Sequence, residues 1–398
     1  MALELAFAIA GGVVAVLALY LLLVVVAALL GRKRISSAAG THAQSRIVVV
    51  IPAHDEEQLV PRAVASLVDQ TYPRDLYEIV VVADNCTDET ATVAEAAGAT
   101  VLVRNVPGSR GKGHALRWSF ERILGRHSPP DALVVVDADS VADPAFLAIL
   151  EARFRAGAEA VQGESLLVPD GSTSGALRAA AFLLVNRARP LGRAVLGLPS
   201  GLCGNGMLFS RRLLEDHPWD ALTSTEDVEY TVKLRLHGID PVFARGAIVT
   251  SPVAPSVRAA EEQELRWEGG QLHVARTHVP ALLSRAVRER RAGLLDVALE
   301  LSVPPIGYLA AAAAVLTATG GVLVATGIVD AWALAPAAMA AVAILLYVLL
   351  GLRAAEAPAS SYRALLGAPR LVLRKVAKAY RLRDFHPEDW VRTERRGD

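Results

Sequence analysis

The acidic residues in the first half of the chain fall in groups, each directly after an apolar run. His54-Asp55-Glu56-Glu57 follows Ile47–Ile51 and Pro52-Ala53, Asp84-Asn85 and Asp88 follow Ile79–Ala83, and Asp137-Ala138-Asp139 follows Leu133–Val136. Carboxylates gathered at one edge repel one another unless something positive lies between them. A divalent cation with a phosphorylated ligand suits that setting, because hard cations take oxygen ligands and bridge carboxylates to phosphates. For each group alone, a helix cap or a first-turn acid is the competing explanation. Three groups in succession favour a site. Asp137 and Asp139 are the sharpest pair, since residues two apart where a strand ends can turn both carboxylates to one ion.

Three further groups add chemistry. Gly108-Ser109-Arg110-Gly111-Lys112-Gly113 reads as a flexible basic loop opening a helix. Its backbone amides and Lys112 suit phosphate oxygens, although the spacing is not that of a Walker loop. A glycine-rich surface turn is the plainer reading. Thr225-Glu226-Asp227 precedes a helical run, Val228 to His237. Thr225 fits an N-cap with two acids favouring the helix dipole, or Asp227 serves as a general base, with Glu226 beside it; both readings stay open. Gln263-Glu264-Leu265-Arg266-Trp267 places an amide, a guanidinium and an indole on one helix face. That set fits a sugar or a diphosphate, and equally a membrane-surface anchor.

These residues need an element at each end to hold them. Ile47–Ile51 is continuously apolar, as expected of a strand buried on both faces. Helix is predicted over about 59–70, 88–97 and 111–124, and strand over 79–83, 101–103 and 133–136. Such alternation predicts an α/β fold with an open parallel sheet, whose ligands bind at the carboxyl ends of the strands.

The remainder is strongly apolar. Hydrophobic residues make up 53% of the 398, while Lys+Arg and Asp+Glu balance at 41 each, so no charge excess points to nucleic acid. Two cysteines, Cys86 and Cys203, form neither a disulfide framework nor a structural zinc site, and fit a reducing compartment. Leu5–Gly31, Leu301–Val329 and Ala331–Leu352 carry no charge and are each long enough to cross a bilayer. The first is too long for the core of a signal peptide and follows Glu4 rather than a basic stretch. Arg32, Lys33 and Arg34, then Arg285, Arg288, Arg290 and Arg291, then Arg353 flank the spans on one side, which the positive-inside rule makes cytoplasmic. Two stretches rich in arginine and apolar residues, 176–196 and 274–291, read as interfacial helices or as core-facing ones. Ser36–Gln44 reads as a polar linker. Spans without charged residues give little support to a transporter.

In this order the motifs resemble those of the family 2 glycosyltransferases over roughly residues 47–267. Ile51-Pro52-Ala53-His54-Asp55-Glu56-Glu57 is similar to the family's I-P-A-x-N-E-E, with Asp55 where Asn is more usual. The resemblance makes Pro52, Ala53 and Glu57 donor-binding residues, and Asp84 the reader of a uracil ring. Asp137 and Asp139 match the D-x-D that holds a metal, Mg²⁺ or Mn²⁺, and the donor diphosphate. Asp227 matches the base of the T-E-D triplet, with Glu226 its catalytic neighbour. Gln263, Arg266 and Trp267 match the Q-x-x-R-W of the branch that includes cellulose, chitin, hyaluronan and poly-N-acetylglucosamine synthases. Cys203-Gly204-Asn205 resembles the segment lining the acceptor there.

The resemblance implies a GT-A fold over residues 45–273, joined to spans at 5–31, 301–329 and 331–352, an interfacial segment at 274–298 and a cytosolic tail at 353–398. It implies an inverting transfer of a hexose or N-acetylhexosamine from a UDP-sugar to a lipid-linked or polysaccharide acceptor, at the cytosolic face of the cell membrane. Asp227 would deprotonate the acceptor, while the metal and Lys112 hold the departing diphosphate. The expected partners are a nucleotide-sugar, that acceptor and membrane lipid, with a homo-oligomer or an export partner left open. Processive members of the branch carry more spans than three. A non-catalytic scaffold of an export complex is the alternative; it predicts loss of Asp137, Asp139 or Asp227, and all three are present.

Overall fold

The computed structural model describes residues 1–35 and 43–385. The expected linker therefore lies outside the described residues except at Ala43 and Gln44, as does the tail beyond Phe385. The chain divides into two compact units, one of 35–170, 199–280 and the C-terminal end from 385, the other of 1–34, 171–198 and 281–384.

The first of these units is built on one sheet. Its strands are β1 (Ile47–Ala53), β2 (Tyr77–Asp84), β3 (Thr100–Arg104), β4 (Ala132–Val135), β5 (Val141–Ala142), β6 (Ala160–Val168), β7 (Met207–Ser210) and β8 (Val242–Pro252). They lie in the order β3-β2-β1-β4-β7-β6-β8-β5. The pairs β3/β2, β2/β1, β1/β4 and β6/β8 are parallel, whereas β7 runs antiparallel between β4 and β6, and β5 antiparallel to β8. The sheet is thus mixed and mostly parallel, an α/β fold as expected.

Strand alternation divides its core in two. Ile47, Val49 and Ile51 pack with the helices Val60–Val68 and Phe146–Arg155 on one face. Val48 and Val50 pack with the helix Lys112–Leu124 and with Trp219 and Tyr230 on the other. β1 is apolar throughout because both its faces are covered. On the second face the Tyr230 ring lies 4.4 Å from that of Trp219 and 5.7 Å from that of Phe209. Such ring pairs contribute about 0.5–1.5 kcal/mol beyond the area they bury. Tyr230 sits on the helix Glu226–Leu236, so this cluster fixes the helix that carries Asp227.

The second unit contains three helices long and apolar enough to cross a membrane, ending at Arg34, Ala325 and Ala354 and starting at Ala2, Ile306 and Ala331. Ala15, Ala18, Leu21, Val25 and Ala28 recur at helical spacing on the buried side of the first. A Cβ at Gly11 would run into the Ala337 backbone, so glycine lets the first and third helices meet closely. The second helix begins at Ile306 rather than Leu301. Leu301 ends a separate helix, Ala292–Ser302, because Pro304-Pro305 cannot continue it.

The stretch 176–196 is not a simple amphipathic interface helix. It contains two helices, Thr173–Leu183 and Arg189–Val195, joined by a π-turn, and its arginines are turned to account inside the unit. Arg193 makes a two-pronged pair with Asp296 at 3.1 and 2.6 Å and reaches Glu300 at 2.9 Å. Arg189 bonds the other oxygen of Glu300 at 2.5 Å, and the Tyr20 hydroxyl donates to Glu300 at 2.5 Å. Two guanidinium groups against two carboxylates make the network neutral. The stretch 274–291 belongs mostly to one long helix, Val257–Glu289, which also carries Gln263, Arg266 and Trp267.

Candidate active site

The acids after β1 and β2 are used first to tie their two loops together. Asp55 and Asn85 both adopt left-handed backbone, φ 52°, which Asp and Asn tolerate better than other non-glycine residues. The exchange of Asn for Asp at 55 therefore costs the turn nothing in backbone terms. Asp55 accepts the Thr87 amide at 2.6 Å, and Asp88 accepts those of Glu57 at 3.1 Å and Thr90 at 3.0 Å. Glu57 in turn accepts the Glu89 amide at 2.9 Å, so this side chain, expected at the donor, supports the neighbouring loop. Asp55, Cys86 and Asp88 bring one ligand atom each within 4.8 Å of one another. Burial raises the Cys86 thiol, however, which keeps it protonated and a poor metal ligand.

Asp84 ends β2 and is buried beside Arg104 of β3, its registered neighbour. Arg104 donates to Asp84 Oδ1 at 2.5 Å, and Asn85 donates to the same oxygen at 2.9 Å. Burial pushes the Asp84 carboxyl up, and Arg104 pulls it only part of the way back. Arg104 is itself 4% exposed, and its Nε has no hydrogen-bond partner. Pro52 and Ala53 lie on the neighbouring end of β1, paired with Val82 and Ala83.

The second acidic focus is denser. The β4 strand stops at Val135, so Asp137 and Asp139 sit just past it, and strand alternation no longer sets their directions. The Lys112 ammonium lies 2.5 Å from Asp137 Oδ1, 2.5 Å from the Gly204 carbonyl oxygen and 3.9 Å from Glu226 Oε1. Burial by itself would lower Lys112; the Asp137 and Glu226 carboxylates outweigh it and hold the ammonium above its usual range. Gly204 has φ +77°, and a Cβ there would stand 3.2 Å from Asp227 Oδ2. Glycine at 204 thus gives the backbone its turn and leaves room beside Asp227. The Asp227 Oδ1 accepts its own helix's Val228 amide at 2.8 Å.

Burial raises Glu226 to about 8, despite Lys112 nearby. Asp227 is raised as well, first by burial. The same buried setting thus biases both neighbouring carboxyls, Glu226 and Asp227, toward the protonated form. A carboxyl held at about 8 in the fold, against 4.5 ordinarily, binds a proton that the unfolded chain releases. Stability must therefore fall as pH rises through that window. Glu226→Gln is expected to flatten the decline between pH 4.5 and 8 in a thermal-unfolding series. An unchanged slope would remove Glu226 as its source.

Thr225 occupies the N-cap position of this helix, yet its side chain makes no capping bond, and its buried Oγ1 has no hydrogen-bond partner. The long helix passes close by: a Cβ at Gly270 would meet Thr225 Cγ2 and Oγ1. Gly270 lies one turn beyond half-buried Arg266 and Trp267 on the same helix.

Cys203 and Asn205 flank Gly204. The Asn205 side chain accepts the Asp137 amide at 3.1 Å and donates to Ser140 Oγ at 2.9 Å, clamping the loop of the two aspartates. Burial raises the Cys203 thiol, which remains neutral. A residue missed from sequence is Gln162 of β6, buried in the sheet. It accepts the Cys203 amide at 2.9 Å and donates to the Asn205 carbonyl at 2.8 Å, shaping the turn around Gly204. Its signal was present: a polar Gln-Gly-Glu inside a run otherwise apolar.

Asp137, Glu226 and Asp227 are three carboxyl groups acting on the one ammonium of Lys112, and Asp139, two residues after Asp137, accepts the Ser140 hydroxyl at 3.2 Å. That donor set fits a hard divalent cation with positions left for phosphate oxygens and water. The site as built is a cluster of carboxyl groups around one lysine, on the carboxyl ends of a mixed α/β sheet. Residues 44–270 match the family described as glycosyltransferase like family 2. The chain belongs to that family, and its sheet agrees with the GT-A architecture that the sequence implied.

Among relatives, a probable glycosyltransferase of Bacillus subtilis, YdaM, is 24% identical over 257 residues, covering 58% of this chain and 56% of its own. The β-monoglucosyldiacylglycerol synthase of Synechocystis is 26% identical over 244 residues, covering 58% and 49%. The chain thus spans about half the length of these curated relatives. Among solved structures, the mannosyltransferase PcManGT of Pyrobaculum calidifontis, in complex with GDP-Man and Mn²⁺, is 19% identical with a TM-score of 0.48, covering 85% of this chain and 97% of that one.

Proposed function

We propose that the protein is a membrane-anchored, inverting glycosyltransferase that moves a hexose or N-acetylhexosamine from a UDP-sugar to a lipid-linked or polysaccharide acceptor. The observation that carries this reading is the meeting of Asp137, Lys112, Gly204 and Asp227 at one place. Asp227 takes the proton of the acceptor hydroxyl beside the opening that Gly204 leaves. Lys112, drawn between Asp137 and Glu226, turns to the diphosphate as negative charge develops there. Asp139 and Asp137 would hold a divalent cation, which when bound supplies charge stabilisation at the leaving diphosphate. Arg266 and Trp267 lie one turn before Gly270 on the same helix, and an indole face suits a sugar ring.

The donor base follows from Asp84. Its Oδ1 is taken up by Arg104 and Asn85, leaving Oδ2 to accept one N–H. Uracil presents a single N3–H flanked by carbonyls, which one free carboxylate oxygen can accept. Guanine presents two adjacent donors and needs both oxygens. A lipid acceptor is favoured by the three apolar helices and by the name of the Synechocystis relative, a diacylglycerol glycolipid synthase. The Gln263/Arg266/Trp267 group favours chain growth instead.

A panel of UDP-, GDP- and dTDP-sugars, with and without Mn²⁺ or Mg²⁺, tests the reading on isolated membranes. Transfer is expected from UDP-sugars over GDP-sugars and only with metal, and Asp84→Ala is expected to cut it about tenfold or more, chiefly in KM, through lost base contacts. Transfer without metal would sink the role of Asp137 and Asp139. A ladder of product lengths would replace single addition by chain synthesis.

A further inference from the structure

The segment after the third apolar helix carries one sign of charge and an uncovered apolar stripe. Between Ala357 and Arg381 there are six basic residues and no acidic one. Leu366, Leu373 and Tyr380, seven residues apart, are 89%, 71% and 64% exposed. Leu373 lies in the helix Ala368–Ala377 and the other two flank it, and exposed Arg370, Arg374 and Lys378 run beside them at spacings of four. The opposite side of this helix is docked. A Cβ at Gly307, in the first turn of the helix Ile306–Ala325, would lie 3.2 Å from Lys375 Cδ and 3.8 Å from Val372 Cγ2. The Lys375 ammonium also sits 5.7 Å from the Tyr308 ring centre.

We propose that the segment from Leu366 to Arg381 lies in the bilayer surface, with its leucines among acyl chains and its arginines and lysines on anionic lipid headgroups. Two observations choose this occupant over a protein groove. The helix is anchored at the very end of a helix long and apolar enough to cross the membrane, which sets it at headgroup level. Its charge is uniformly basic, the complement of an anionic leaflet, while its apolar stripe is narrow, as in helices that float at an interface. The device adds a contact that senses lipid charge, apart from sugar transfer.

Trypsin reads this directly on the full chain in nanodiscs, because each cut follows one of these basic residues. Cleavage after Arg374 and Lys378 is followed by mass in neutral phosphatidylcholine and in the same lipid with roughly 30% phosphatidylglycerol. Arg212, 81% exposed in the other unit, serves as the reference cut for trypsin's own response to lipid. Relative to that reference, cleavage is expected to slow about tenfold in the anionic discs, and about 0.5 M salt should restore much of it. Leu373→Asp should be cut equally in both lipids, with the Arg212 rate unchanged as a check that it folds. Equal rates in the two lipids for the native chain overturn the proposal, whatever shielding a second protein then adds. Neither outcome depends on whether the chain transfers sugar.

Discussion

Asp227→Asn is expected to lower transfer by about 10²–10⁴-fold, the usual worth of a positioned general base. The substitution keeps size and the hydrogen bond from the Val228 amide, so the helix start should survive it. It removes the proton acceptor that faces the space beside Gly204. The loss should therefore appear in kcat, with donor affinity within a few-fold of the native value. Donor binding followed by titration and turnover followed by released nucleotide separate the two. Full activity in the variant would take the base role from Asp227 and leave its acid to the helix dipole. Glu226→Gln provides the contrast: its carboxyl lies 3.9 Å from Lys112, whereas Asp227 is the one beside Gly204, so its loss should cost less turnover.

Where the sequence was legible, one residue type sufficed to see it. β1, β2 and β4 are apolar runs because both faces of the sheet are covered there, and their acidic ends stand out against that background. β6 and β8 are harder to see, since Gln162 and Glu164 interrupt one and Arg245-Gly246 the other. Those polar residues serve the site: Glu164 accepts the Gly246 amide at 2.7 Å, while Gln162 holds the Gly204 turn. A one-residue-at-a-time pattern reads such a strand as broken.

The charge compensation was hidden for a different reason. Crowded acids imply something positive, and much of it proves to be internal: Arg104 beside Asp84, 20 residues on, and Lys112 beside Asp137, 25 residues back. Sequence shows the charges and not which pairs the fold closes. The same limit affected 176–196, where arginines among apolar residues left interfacial and core-facing helices both open. Their acids, Asp296 and Glu300, are 103 to 111 residues away in sequence. Uniformly basic 357–381 differs in having no acid within itself and exposed leucines on its surface.

That buried network gives the largest expected effect on stability. Arg193→Leu preserves much of the side-chain volume and leaves Asp296 without its two-pronged partner. The Arg193 side chain is 6% exposed and that of Asp296 12%, so water cannot take the place of the lost guanidinium. Removing one member of such a pair costs about 3–5 kcal/mol. Glu300 softens the loss, since Arg189 and Tyr20 still bond it at 2.5 Å each. The lower end, about 3 kcal/mol, is therefore expected. Arg193→Leu combined with Asp296→Leu should recover most of it, because an apolar pair in a buried site carries no stranded charge. Tyr20→Phe removes two hydrogen bonds, one donated to Glu300 and one accepted from Arg193, and should cost about 2 kcal/mol. Unfolding midpoints in detergent for the three variants test this order. Equal midpoints for Arg193→Leu and the native chain would mean that water reaches Asp296, and that the arginines of 176–196 do lie at an interface.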